Sequence, residues 1–280
     1  MASRSQFRRR AAEGKLSAGC IALVLASACG AAHAQVATLQ DLNSTAQFNF
    51  GVASIQSSFL VDGLNQLNSG GLYFGVGAGA ESSVSSLGPA TLSLYDGTRG
   101  VTATFAGAQF TLQLDYRLTG QTIGSGASTL TETVRIINTS GSLLNIRLYS
   151  FQDYDLGGTP GNDAVQFASF GGSYFLANQE DPSVALAQSI FAPGANRIES
   201  DTTGALLGKL SNGSMDNLNN NGAAGPGDVS WALQWDFSLA PGLSTVVSRT
   251  TSLQLQVIPE PTSFALLGLA ALGLVFRLRK

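Results

Sequence analysis

Through most of the interior of the chain, apolar residues fall on every second position. In Phe110-Thr111-Leu112-Gln113-Leu114-Asp115-Tyr116-Arg117-Leu118 the large apolar side chains share one parity and the polar ones the other. A strand sends successive side chains to opposite faces, so such a stretch buries one face and wets the other. Thr131-Glu132-Thr133-Val134-Arg135-Ile136 and Ile146-Arg147-Leu148-Tyr149 read alike, each Arg turned away from its apolar neighbours. Short β-branched or aromatic runs occupy residues 91–95, 101–105, 109–118, 128–137, 143–151, 164–170, 173–176, 183–191, 229–239 and 244–257. Turn-formers such as Asp96-Gly97, Gly171-Gly172, Pro193-Gly194 and Pro241-Gly242 separate them. Strands punctuated in this way predict an all-β fold, an antiparallel β-sandwich of about ten strands rather than βαβ units. Residues 54–67 alone carry the spacing of a short helix, and the Gly-rich 70–86 and Asn-rich 211–228 read as irregular, the former as a loop or Gly-rich strand.

In Val229-Ser230-Trp231-Ala232-Leu233-Gln234-Trp235-Asp236-Phe237 both tryptophans share the parity of Val229, Leu233 and Phe237, which predicts a core face. Tyr149, Tyr154 and Tyr174 are then the aromatics left for contact with a sugar.

The two ends of the chain differ from this pattern. Arg4, Arg8, Arg9, Arg10 and Lys15 precede an apolar stretch that reaches Ala32-His33-Ala34. That is the layout of a cleavable secretory signal peptide over residues 1–34, with Gln35 as the first mature residue. A lipoprotein cleavage before Cys29 is the rival reading, although Ala26 stands where such signals carry Leu. A body follows over 35–256, and the tail, 257–280, holds Pro259-Glu260-Pro261, an uncharged Leu-, Ala- and Gly-rich run over 264–276, and Arg277-Leu278-Arg279-Lys280. Two prolines bar helix and strand from the boundary. The apolar run predicts a single short transmembrane helix with its cations on the cytoplasmic side.

In order and position, this tail resembles the PEP-CTERM sorting signal of Gram-negative bacteria. The resemblance implies recognition through Pro259, Glu260 and Pro261 by exosortase as partner, a transient membrane anchor, removal of the helix, and release or attachment at the cell surface. It further implies association with exopolysaccharide.

Charge and inventory narrow the chemistry. Cys20, Cys29 and His33 all lie before Gln35, so the exported body has neither thiols nor imidazole. Disulfides, Cys or His zinc sites and Ser-His-Asp machinery are therefore excluded. Residues 35–257 contain seven basic and sixteen acidic residues, a net charge of −9, which disfavours nucleic acid and anionic membrane surfaces as partners. Asp153, Asp155 and Asp163 bracket a Gly-rich turn, and three carboxylates so close in sequence are candidate hard-oxygen ligands for calcium as a cofactor. The competing reading is an Asx-rich turn whose carboxylates cap backbone amides. Glu132, Glu180, Glu199, Asp181 and Asp236 are candidate glycosidase carboxylates by type alone.

The expectation from these readings is a non-enzymatic, exosortase-sorted surface or extracellular-matrix protein. A calcium-dependent carbohydrate-binding module is the first alternative and a glycan-active hydrolase the second.

Overall fold

A computed structural model describes residues 35–182 and 184–255, so the predicted leader (1–34) and tail helix lie outside the described residues. Eighteen strands follow one another: β1 Val36–Asp41, β2 Ser44–Asn49, β3 Gln56–Val61, β4 Leu64–Asn65, β5 Ser69–Val76, β6 Ser82–Ser83, β7 Thr91–Tyr95, β8 Gly100–Ala106 and β9 Phe110–Gly120 form the first half. β10 Ala127–Asn138, β11 Leu144–Asp153, β12 Asp163–Phe170, β13 Ser173–Asp181, β14 Ala185–Ala195, β15 Arg197–Thr202, β16 Ala223–Gly227, β17 Val229–Leu239 and β18 Ser244–Leu255 complete them, with one helix, α1 Thr203–Ser211, between β15 and β16.

The strands form two antiparallel nine-stranded sheets. The first runs β1-β2-β3-β5-β11-β17-β15, with β4 beside β3 and β6 beside β5, and the second runs β16-β12-β13-β14-β18-β10-β9-β8-β7. They meet face to face through the parity read from the sequence: Leu112, Leu114 and Leu118 of β9 and Trp231, Leu233 and Trp235 of β17 belong to one buried cluster between the sheets. Trp231 stands edge-on to Phe167 at 5.8 Å and stacks with Tyr154 at 6.3 Å. One ion pair lies inside this layer: Arg249 Nη2 sits 2.9 Å from Glu132 Oε2, and Tyr116 donates to Glu132 Oε1 at 2.6 Å. Burial and the Glu132 charge hold the Tyr116 phenol well above its usual pKa.

The sequence expectation of about ten strands is corrected to eighteen. Residues 54–67 are no helix, because Ile55 just before β3 and Phe59 and Val61 within it enter the core and the chain then reverses at Asp62-Gly63, whose φ angles are 50° and 82°. The Gly-rich segment 70–86 begins with β5, whose Gly75 lets the Arg147 guanidinium lie across the strand; a Cβ there would come within 2.5 Å of Nη2. Helix α1 was not foreseen.

Candidate functional site

β11 and β17 pair toward the β15 edge of the first sheet, and each has one face toward the second sheet and one away from it. The outward face is covered in part by α1 and the segment after it: Leu206, Leu210 and Leu218 pack on Tyr73, Tyr149, Phe151 and Ala232. The cover stops short of the start of β11 and the end of β17. There it leaves a cleft of about 390 Å³ whose polar lining is Asn145, Arg147, Arg197, Asn217, Asp236 and Ser238.

Strand register sets this lining. Arg147 is opposite Asp236 and Asn145 opposite Ser238, while Arg197 is opposite Gln234 on the other side of β17. The buried Gln234 is the hub: its Nε2 donates to Asp236 Oδ1 and to Asn217 Oδ1, both at 2.8 Å, and its Oε1 accepts from Leu218 N at 2.9 Å. One amide thus fixes both the carboxylate and the segment that follows α1. Asn196 Oδ1 accepts from Asp236 N at 2.7 Å, and Ser238 donates to Asn145 Oδ1 at 2.7 Å. Arg147 is committed to structure, donating to Gly77 O and Gly79 O at 2.6 Å and to the Tyr149 hydroxyl at 2.9 Å. Arg197 donates only a long bond to Leu218 O, at 3.4 Å, so its guanidinium is the cleft's available cation.

The aromatics expected to meet a sugar do not reach this cleft as platforms. Tyr149 is fully buried, with its hydroxyl between Arg147 Nε, Glu81 Oε1 and Asp216 O. Tyr154 is buried against Trp231, and the half-buried Tyr174 stands edge-on to Phe167 at 6.4 Å.

At the other end of β11 the predicted acidic turn is brought together only in part. Asp153 and Asp155 meet Asp228, one oxygen of each lying within 4.8 Å of the others. Asp163 turns elsewhere: its Oδ2 accepts from Leu156 N at 3.2 Å and from Gln179 Nε2 at 3.0 Å. Asp153 accepts from Asn68 at 2.9 Å on one oxygen and from Thr203 at 2.9 Å on the other. Burial pushes Asp155 up to about 6, helped by the charges of Asp153 and Asp228, and pushes Asp163 up to about 7 against its two hydrogen bonds. Burial also raises Asp153 above the usual carboxylate range. Three carboxylate oxygens can begin a calcium shell, which takes six to eight, and the rest would come from backbone and water. At about 3.3 Å per residue, the eight steps from Asn145 to Asp153 separate this corner from the cleft by about 26 Å.

The candidate glycosidase carboxylates do not converge. Glu132 is inside the sandwich, Glu199 is clamped to Lys209 at 2.6 Å, Asp181 is buried at the end of β13, and Glu180 lines a separate cavity on the second sheet. Asp236 alone among the described carboxylates lines the cleft. Arg197 and Asn217 escaped sequence reasoning, since no local pattern marks them.

Residues 257–280 match the family model described as the PEP-CTERM protein-sorting motif. No curated protein matches the sequence. Among solved structures the fold is similar to that of an Escherichia coli K12 protein described as an aldose 1-epimerase, with a TM-score of 0.53 and 10% identity over 79% of this chain and 99% of that one. A galactose mutarotase-like protein from Clostridium acetobutylicum gives a TM-score of 0.51 and 10% identity, over 78% of this chain and 95% of that one. A bacterial glucoamylase complexed with acarbose gives 0.56 and 8%, over 79% of this chain but 32% of the glucoamylase. At such identities the likeness is one of fold. The expectation of a non-enzymatic matrix sandwich is corrected by this likeness, since the fold is shared with proteins described as an aldose 1-epimerase and a glucoamylase. The absence of His and Cys from residues 35–280 excludes particular machineries, not carboxylate-based sugar chemistry.

Proposed function

We propose that the exported body is a carbohydrate-active domain that seats a saccharide in the cleft at Asp236 and exchanges protons at its anomeric centre. The observation that carries this reading is the cleft itself: a carboxylate held by a buried amide, an available guanidinium, two carboxamides and a hydroxyl, on the sheet face left open by α1. Carboxamides and hydroxyls both donate and accept, which suits neighbouring sugar hydroxyls. Asp236 takes the proton of the anomeric hydroxyl, the bond from that carbon to the ring oxygen opens, and the ring oxygen takes a proton from water. After rotation about the adjoining C–C bond the same ring hydroxyl closes on the other face of the carbonyl, giving its proton back to the hydroxide left by that water while Asp236 returns its own to the anomeric oxygen, and the second anomer results. Arg197 cannot give up a proton, so its part is to orient oxygens. A positioned base of this kind contributes about 10²- to 10⁴-fold. The hydrolytic alternative needs two carboxylates flanking the scissile bond, and the described lining of the cleft supplies one.

The test is anomer exchange in glucose, galactose and xylose followed by magnetisation-transfer NMR. Exchange should rise with added protein and fall at least about tenfold in Asp236→Asn, whose isosteric amide keeps the Gln234 contact while removing the base. Absence of both exchange and binding across these sugars would overturn the reading.

A second reading, calcium at Asp153, Asp155 and Asp228, rests on their convergence. Its distance from the cleft makes such an ion a clamp on the fold and not a ligand to the sugar. The sorting motif supports processing of the exported chain by exosortase, with surface delivery of this domain as the outcome we propose.

A further inference from the structure

On the opposite side of the molecule, the outer face of the second sheet carries a cavity of about 520 Å³ that the cleft at Asp236 does not touch. Its floor and walls come from β12, β13, β14 and β16, and it shares no residue with the cleft. Gln166 of β12 is opposite Asn178 of β13, and Asn178 opposite Gln188 of β14. Gln188 Nε2 donates to Asn178 Oδ1 at 3.1 Å. The same row continues outside the cavity through Ser252 of β18 to Thr129 of β10, whose hydroxyls are 3.5 Å apart. With strands about 4.8 Å apart, this line of amides and hydroxyls runs about 19 Å across five strands.

A polar sheet face is ordinarily only a solvated one, and two features set this one apart. It is concave, because β16 rises beside β12 as a wall of Ala223, Ala224 and Gly225. Gly225 fixes that wall: at its φ of 102°, a Cβ would run into the Asp163 carbonyl, so the strands approach as only glycine allows. The lining also lacks cations, and Glu180 is its single charge. Side chains that each donate and accept, spaced along a line with the apolar Leu186 beside them on the same face, match a ligand that repeats hydroxyls along its edge and C–H groups along its face. Glu180 and the body's excess of sixteen acidic over seven basic residues turn away anionic chains.

We propose that this cavity and the row leading from it form a separate, non-catalytic binding site for a neutral polysaccharide chain laid across the strands. Its ligand class follows from the chemistry of the row and goes beyond the reading of the Asp236 cleft. The site would hold the protein on a polymer while the cleft works at a sugar end.

Affinity electrophoresis of protein from the native host, in gels containing soluble neutral glucomannan, hydroxyethylcellulose or dextran and with alginate as the anionic control, tests this. Retardation in at least one neutral gel and none in alginate is expected. Gln166→Ala with Gln188→Ala should weaken it about tenfold, as the loss of two neutral hydrogen bonds implies. Ala223→Trp, which fills the exposed side of the cavity and leaves the row intact, should weaken it likewise, with unchanged melting temperature certifying the fold of both variants. Asp236→Asn should leave retardation unchanged, so failure of the cleft and failure of this site are told apart. No retardation in any neutral gel, retardation in alginate alone, or retardation that survives both sets of changes would each overturn the proposal.

Discussion

At the residue scale, Asp163 is a buried carboxyl held under electrostatic tension. It is almost fully buried, accepts two hydrogen bonds on Oδ2 and has no partner for Oδ1, and burial raises it from 3.8 to about 7. An acid whose folded pKa is raised contributes stability that is complete below its unfolded pKa and lost as pH rises through the folded value. Asp155, raised to about 6, acts in the same sense. The melting temperature should therefore fall by several degrees between about pH 4 and about pH 8, and Asp163→Asn, which mimics the neutral acid, should remove most of that fall. A flat profile in the unaltered protein would show that both carboxyls stay charged. The proposed calcium takes the proton's place at Asp153, Asp155 and Asp228, so its effect belongs to the upper end of this range. At about pH 8, calcium at a hundredfold excess over Kd should raise Tm by about 5 to 10 °C, and the rise should shrink near pH 5. Equal melting in calcium and in chelator would leave the corner to its hydrogen bonds and its proton.

Among elements, α1 matters most to the cleft, because the segment it anchors supplies Asn217. Lys209 in its last turn reaches Glu199 of β15 at 2.6 Å, and the same carboxylate accepts from Asn219 N at 2.9 Å. Lys209→Met leaves a nearly buried carboxylate with one backbone donor, and should cost about 1 to 3 kcal/mol and weaken saccharide binding without touching the sugar. Unfolding by urea and titration of the same sample check both halves, and unaltered binding would show that Asn217 is held by Gln234 alone. The strands were legible in the sequence where alternation is clean: β7 and β17 stand at their expected bounds, and Trp231 and Trp235 face the core as their parity requires. β15 and β16 were not, since Arg-Ile-Glu-Ser-Asp-Thr and Ala-Ala-Gly-Pro-Gly carry no apolar period; their neighbours in the sheets, not their own pattern, make them strands. Helix α1 escaped for a related reason, as Gly204 and Gly208 weaken its propensity and only Leu206 and Leu210 mark its packed face. The cleft was least legible, because residues 145–147, 197 and 236–238 meet through pairing between strands distant in sequence and 217 reaches them from the segment after α1, whereas Asp153 and Asp155 are neighbours in sequence and stand out there.

At the scale of the whole molecule, the strand ends place the acidic corner and the Asp236 cleft at opposite ends of the sandwich. β18 ends at Leu255, whose N–H donates to Gly126 O at 2.8 Å, and the Gly126 N–H in turn donates to Asp62 Oδ2 at 2.8 Å. Asp62 follows β3 at the end of the sandwich where β5 begins and β11 finishes, and β11 finishes at Asp153. The chain thus leaves toward its sorting motif from the end that holds the acidic corner, and the Asp236 cleft opens toward the opposite end, where β11 starts and β17 stops. Delivery by the tail would therefore leave the cleft on the far side from the point of exit. The last ladder pair of β18 is Leu255 with Ala185, so a cut anywhere within 257–280 removes no described strand pairing. Two outcomes follow for the protein from its native host. Its intact mass should correspond to a chain lacking residues 264–280, and a fragment spanning 35–256 should melt within about 1 °C of it and exchange anomers at the same rate. A native species that retains Lys280, or a fragment that melts several degrees lower, would show that the tail is part of the working molecule and not only its address.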